Sequence, residues 1–143
     1  FAESQITVCG EEGPVIVYNP SIEKSIRKSL ANAYEDLSGQ LLAINTRVFD
    51  LLPVMKQYYY HPDMKGSWSI KNVLSCLVPE LRYSDLGEVQ DGLMAQSAYH
   101  EIISGKLSKE EKDSLLADMR DYCELDTYAM LAIVDKVVCN EIN

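Results

Sequence analysis

Basic residues are scarce in this chain: 13 Lys and Arg stand against 22 Asp and Glu, a net charge of −9. That balance disfavours a module that grips nucleic acid through a basic surface. It does not disfavour an enzyme that holds phosphates through metal ions, where carboxylates serve as cation ligands. No apolar run approaches the ~18–20 residues of a membrane span, and no signal-peptide pattern opens the chain. Glycine (7) and proline (5) are too few for a disordered or low-complexity chain. No Cys-x-x-Cys pair occurs, and His61 and His100 lie far apart, which argues against structural zinc. Cys76, Cys123 and Cys139 each sit among apolar residues and read as buried thiols in a reducing, cytoplasmic compartment.

What is present suits one globular domain over residues 1–143, with 47% hydrophobic residues to build its core. Phe1 stands where Met would, as expected of a processed product or of a piece cut from a longer protein with other domains.

The pattern predicts a helix-rich α/β chain. Phe1 to Cys9 reads as the tail of a helix closed by Gly10. Val15-Ile16-Val17-Tyr18 is a β-branched run suited to a buried strand. Asn19 as N-cap and Pro20 at the first helical position then open a helix with a stripe through Ile22, Ile26, Leu30, Ala33 and Leu37. A helical stretch over Gly39–Ile44 and a strand over Thr46–Asp50 follow, then a short helix from Pro53 toward Tyr60 and a loop from His61 to Ser67. The Tyr58-Tyr59-Tyr60 triplet should straddle that helix end with one or two rings buried. Ser69 and Asp91 are predicted caps for two further helices, the second closed by Gly105. Ser108-Lys109-Glu110-Glu111 is a capping box that opens a long last helix to about Cys139.

Two acids stand out. The last helix carries a stripe through Met119, Cys123, Met130, Ile133 and Val137, whose spacing leaves one slot open at Asp126. A carboxylate on a core-facing stripe is costly unless it is hydrogen-bonded, paired or bound to a metal. Tyr122 lies one turn before it on the same face. The plain reading is a structural hydrogen bond or cap; the functional one is a ligand. Glu23, beside Ile22 and Ile26, is either a first-turn acid that complements the helix dipole or a second ligand.

Together these segments resemble the DnaQ-like, DEDD-type 3′-to-5′ exonucleases of the tyrosine branch, which have an RNase H-like fold. Asn19-Pro20-Ser21-Ile22-Glu23 after the first strand resembles their second motif, with Glu in place of the usual Asp and Ile where Phe is common. Tyr122-Cys123-Glu124-Leu125-Asp126 resembles their third. Val48-Phe49-Asp50-Leu51-Leu52 and Ser67-Trp68-Ser69-Ile70-Lys71-Asn72-Val73-Leu74 look like the strand and helix between. More closely, the stretch from Tyr58 to Ser67, with Val78-Pro79-Glu80-Leu81 and Gln90 to Ala95, resembles a bacterial family of uncharacterised domains within that superfamily.

The first motif, Asp-x-Glu on a strand, is absent ahead of Glu23. On this resemblance the chain is the C-terminal part of such a domain, its first strands lying upstream, or else a degenerate relative. The resemblance implies Mg²⁺ or Mn²⁺, with Asp126 and Glu23 as metal ligands and Tyr122 orienting the attacking water. It implies a single-stranded 3′ end of DNA or RNA as substrate. By residue type, Asn19, Lys65, Trp68 and Lys71 are candidate nucleic-acid contacts, with a core or lid aromatic as the plainer reading of Trp68. The other reading is a non-catalytic nucleic-acid or protein interaction module on the same scaffold. His100 and the acid-rich Lys109–Asp121 stretch read as solvated helix surface.

Overall fold

The computed structural model describes residues 1–138, so Cys139 lies outside the described residues. They form two compact units, which divide between Tyr60 and His61.

In the first unit α1 (Ala2–Cys9) leads to β1 (Val15–Val17), α2 (Ser21–Ala33), α3 (Glu35–Thr46), β2 (Val48–Asp50) and α4 (Leu51–Tyr58). The two strands pair in parallel, Val15 opposite Val48 and Val17 opposite Asp50. Such pairing requires a crossover connection, and α2 and α3 provide it. Ala2, Ala31 and Leu41 form a small buried cluster, with Ile6, Leu30 and Leu37 packed against it.

One side chain organises the turn before β1. Arg47 follows α3, and its guanidinium donates to four backbone carbonyls: Cys9 (3.2 Å), Gly10 (2.6 Å), Glu12 (2.6 Å) and Gly13 (2.9 Å). The Val15 N–H returns a bond to the Arg47 carbonyl at 3.0 Å. Gly10 and Gly13 both adopt positive φ in this loop, a conformation glycine reaches without steric cost.

The α2 face differs from the expectation. Ile22 and Ile26 are exposed, and the helix ends at Ala33, so Leu37 belongs to α3. The buried face is instead Arg27 and Ala31. The Arg27 Nε donates to Asn45 Oδ1 at 2.7 Å, and Asn45 Nδ2 donates to the Lys24 carbonyl. Polar pairing toward α3 thus sets a face that apolar periodicity did not show. Asn19 is not the cap either. It sits at φ 57°, in the left-handed region, and α2 begins at Ser21 with Pro20 at the cap position. Asp50 caps α4 from its Oδ1, 3.0 Å from the Leu52 N–H, so that helix starts two residues before Pro53. Of the tyrosine triplet, Tyr58 and Tyr60 are exposed and Tyr59 is half-buried.

The second unit contains a 3₁₀ turn (Pro62–Met64), α5 (Ile70–Leu77), a 3₁₀ turn (Tyr83–Asp85), α6 (Gly92–Ser104) and α7 (Lys109–Val138). The caps are where the sequence places them. Ser69 Oγ accepts from the Asn72 N–H and Asp91 Oδ1 from the Met94 N–H. Ser108 and Glu111 exchange both bonds of the capping box. Gly105 ends α6 at φ 69°. Two apolar clusters meet on α7. One holds Leu74, Val78, Tyr83 and Ala129, the other Val89, Ala98 and Leu115, and Tyr122 packs against both. No helix among the described residues is long and apolar enough to cross a membrane.

Candidate functional site

The inward face of α7 decides where its acid points. Leu115, Ala129 and Ile133 are buried, and Met119, Tyr122, Leu125 and Asp126 are half-buried between them. This stripe misses Cys123, which is exposed rather than buried. Cys9 and Cys76 are half-buried. Asp126 does occupy the slot the spacing left for it.

Its partner is Tyr83, 43 residues earlier and only 5% exposed, whose hydroxyl donates to Asp126 Oδ1 at 2.8 Å. The Tyr83 and Tyr122 rings lie 6.1 Å apart at 55°. Lys71 Nζ stands 5.5 Å over the Tyr83 ring, within cation–π range. The same ammonium lies 3.9 Å from Asp91 Oδ2. A line of four side chains, Asp91, Lys71, Tyr83 and Asp126, therefore links the start of α6, α5, the 3₁₀ turn and α7. Asp118, two turns before Asp126, accepts the Glu88 N–H at 3.0 Å and holds the preceding loop to the same helix.

Burial pushes both phenols up, with the nearby Asp126 carboxylate adding to the effect. Tyr122 rises to about 12 and Tyr83 rises further. Both are neutral hydroxyls near neutral pH. A group whose folded value exceeds its unfolded one near 10 stabilises the fold fully below pH 10. That contribution fades as pH climbs through the folded value. The expected result is a melting temperature that falls between pH 10 and 12, with a smaller fall in Tyr83→Phe. An equal alkaline fall in both proteins would disprove this assignment.

The other predicted residues lie as follows. Glu23 is exposed in the first turn of α2, in the first unit. Asn19 offers its backbone N–H to Asp50 Oδ1 at 2.9 Å, so Asp50 joins the β1–α2 turn to the end of β2. Burial pushes Tyr18 up to about 12, and the Asp50 charge adds to it. In the second unit Lys65 is exposed at φ 51°, and Trp68 and Lys71 are half-buried. His100 is exposed on α6, against the edge of Tyr99.

Asp126 and Glu23 are hard oxygen donors of the kind Mg²⁺ and Mn²⁺ take. Among the described residues, however, no three His, Cys, Asp or Glu side chains group as a metal site. One oxygen of Asp126 is also already shared with Tyr83. These residues do not complete a two-cation set by themselves.

Tyr83 is the member that sequence reading missed. It lies in a loop without periodicity, and only its aromatic character among polar neighbours hinted that it is buried.

A family model described as a domain of unknown function, DUF2779, matches residues 1–69. That stretch includes Asn19, Glu23, Lys65 and Trp68 and stops well short of Tyr122 and Asp126. The uncharacterised protein UU173 of Ureaplasma parvum serovar 3 is 30% identical over 141 residues, covering 87% of this chain. The chain spans about one fifth of that protein's length (20%). No solved structure matches the chain.

Proposed function

We propose that this chain is the C-terminal portion of an RNase H-like domain related to metal-dependent 3′-to-5′ exonucleases. The observation that carries the reading is the pair on α7. Tyr122 and Asp126 lie one turn apart, half-buried on a stripe otherwise made of apolar residues. A second support is the parallel strand pair, with Glu23 in the first turn of the helix that follows β1 and Asp50 at the end of β2.

In this reading Asp126 offers its free oxygen as a ligand while Tyr83 holds the other. Tyr122, neutral at working pH, orients a water, and Glu23 is the acid of the second motif. When bound, the divalent cations would activate that water and stabilise the leaving 3′ oxygen. The acids here are two of the four such a site uses, so the 143-residue chain by itself is expected to show little or no nuclease activity.

One observation favours the alternative, a non-catalytic interaction module. The Tyr83 hydroxyl already satisfies Asp126, so its half-burial needs no metal. The test uses 5′-labelled single-stranded DNA and RNA with Mn²⁺, on the chain alone and within a longer protein that carries an Asp-x-Glu strand. Stepwise shortening from the 3′ end by the longer protein, abolished by Asp126→Asn, is the expected result. No shortening by the folded, metal-supplied longer protein would sink the catalytic reading and leave the module.

A further inference from the structure

We propose that the cavity between α5, the Arg82–Ser84 segment and the start of α6 is an anion site for a backbone phosphate of single-stranded nucleic acid. The exonuclease-like reading supplies the identity of the anion; the cavity and its charges stand without it. The cavity lies wholly within the second unit and has a volume of about 280 Å³. Lys71, Arg82, Tyr83, Ser84, Gln90 and Asp91 contribute its polar lining.

Charge is the first argument. Two cations face one acid here, in a chain whose net charge is −9. The acid is largely committed. Asp91 Oδ1 accepts the Met94 N–H at 2.9 Å, and its other oxygen is 3.9 Å from Lys71. That capping bond, more than Lys71, holds the Asp91 carboxyl below its usual range. Arg82 is held at its root, since Nε donates to the Pro79 carbonyl at 3.0 Å. No carboxylate pairs with it among the described residues. Its outer fork remains for a ligand, and a guanidinium fork matches phosphate oxygens in geometry as well as charge.

Size and position narrow the ligand. The volume is just below the ~300–1,000 Å³ of pockets that enclose a whole small molecule. It suits one phosphate with part of its sugar, the rest of the strand running outside. Tyr83 lines the cavity and donates to Asp126, so a phosphate seated here is one side chain away from the proposed catalytic acid. A phosphate on the strand beside a scissile bond would occupy such a place.

The test is an NMR titration of the 143-residue chain at low ionic strength with EDTA present, using thymidine 5′-monophosphate and a ten-residue oligothymidylate. The oligomer should shift amides within Lys71–Ser75 and Arg82–Gly92. Arg82→Glu should weaken its binding by roughly tenfold or more, the loss of a fork contact plus a new repulsion. Lys28→Glu, an exposed site in the first unit with the same charge change, should cost less than about twofold. Equal losses from the two charge reversals, shifts elsewhere, or no binding to the unaltered chain would overturn the site. Tighter binding of the mononucleotide than of the oligomer would overturn its assignment to a strand. Binding that depends on Arg82 beside a failed nuclease assay would sink the catalytic reading alone.

Discussion

Arg47→Ala is expected to lower the stability of the first unit by about 2–4 kcal/mol. Four carbonyls at 2.6–3.2 Å receive the Arg47 guanidinium, and bonds from a charged donor are worth roughly 1.5–3 kcal/mol each before losses elsewhere. They do not sum, because part of the loop is exposed and water would replace some of them. Two of the acceptors, Cys9 and Gly10, lie at the end of α1, where carbonyls lack helical partners. Arg47→Lys separates charge from shape. An ammonium keeps the cation but cannot reach four acceptors spread across a planar fork, so it should restore less than half of the loss. Urea unfolding followed on amides of residues 1–60, with hydrogen exchange at residues 9–15, reads both effects. A lysine variant as stable as the native chain would show that charge alone matters and that the fork does not.

Asp126→Ala is expected to cost about 1–3 kcal/mol, because it strands a buried Tyr83 hydroxyl. Asp126→Asn keeps an oxygen at the same place and should cost less than about 1 kcal/mol. Tyr83→Phe removes the donor, and in that background Asp126→Ala should lose most of its penalty. The double-mutant cycle measures the coupling directly. If alanine and asparagine at 126 destabilise equally, the hydrogen bond contributes nothing and the site is held by packing alone. The cycle also bears on the nuclease assay. Loss of shortening in Asp126→Asn could then be assigned to chemistry, since the fold around Tyr83 would be intact.

The sequence was most legible where structure is local. Ser69, Asp91 and the Ser108–Glu111 box act on N–H groups three residues away, so their spacing alone located three helix starts. The open slot at Asp126 was legible for the same reason, as a break in a helical period. Features that depend on distant partners were not. Tyr83 meets Asp126 across 43 residues, and nothing in the 80s loop foretold it. The face of α2 was misjudged because Arg27 finds Asn45, 18 residues on, while Ile22 and Ile26 stay in solvent. Asn19 was misread as a cap because the same residue type also serves in left-handed turns. Cys123 was misplaced by one residue, because the expected stripe ran through Met119, Cys123, Met130, Ile133 and Val137, whereas the face toward α5 and α6 runs through Leu115, Met119, Tyr122, Asp126, Ala129 and Ile133.

The Arg47 clasp also bears on how the chain can be engineered. The segment from Gly10 to Pro14 is exposed and glycine-bearing, the usual profile of a site that accepts an inserted tag or a new terminus. Here four carbonyls in and just before that segment are read by a single side chain from beyond α3, so lengthening it would pull the acceptors out of register. The exposed turn at Gly105 has open space around its Cα and joins two helices that are capped independently. A graft just after Gly105 keeps the left-handed glycine that closes α6 and the Ser108–Glu111 box that opens α7, which makes it the better point of attachment for a probe or a fused partner.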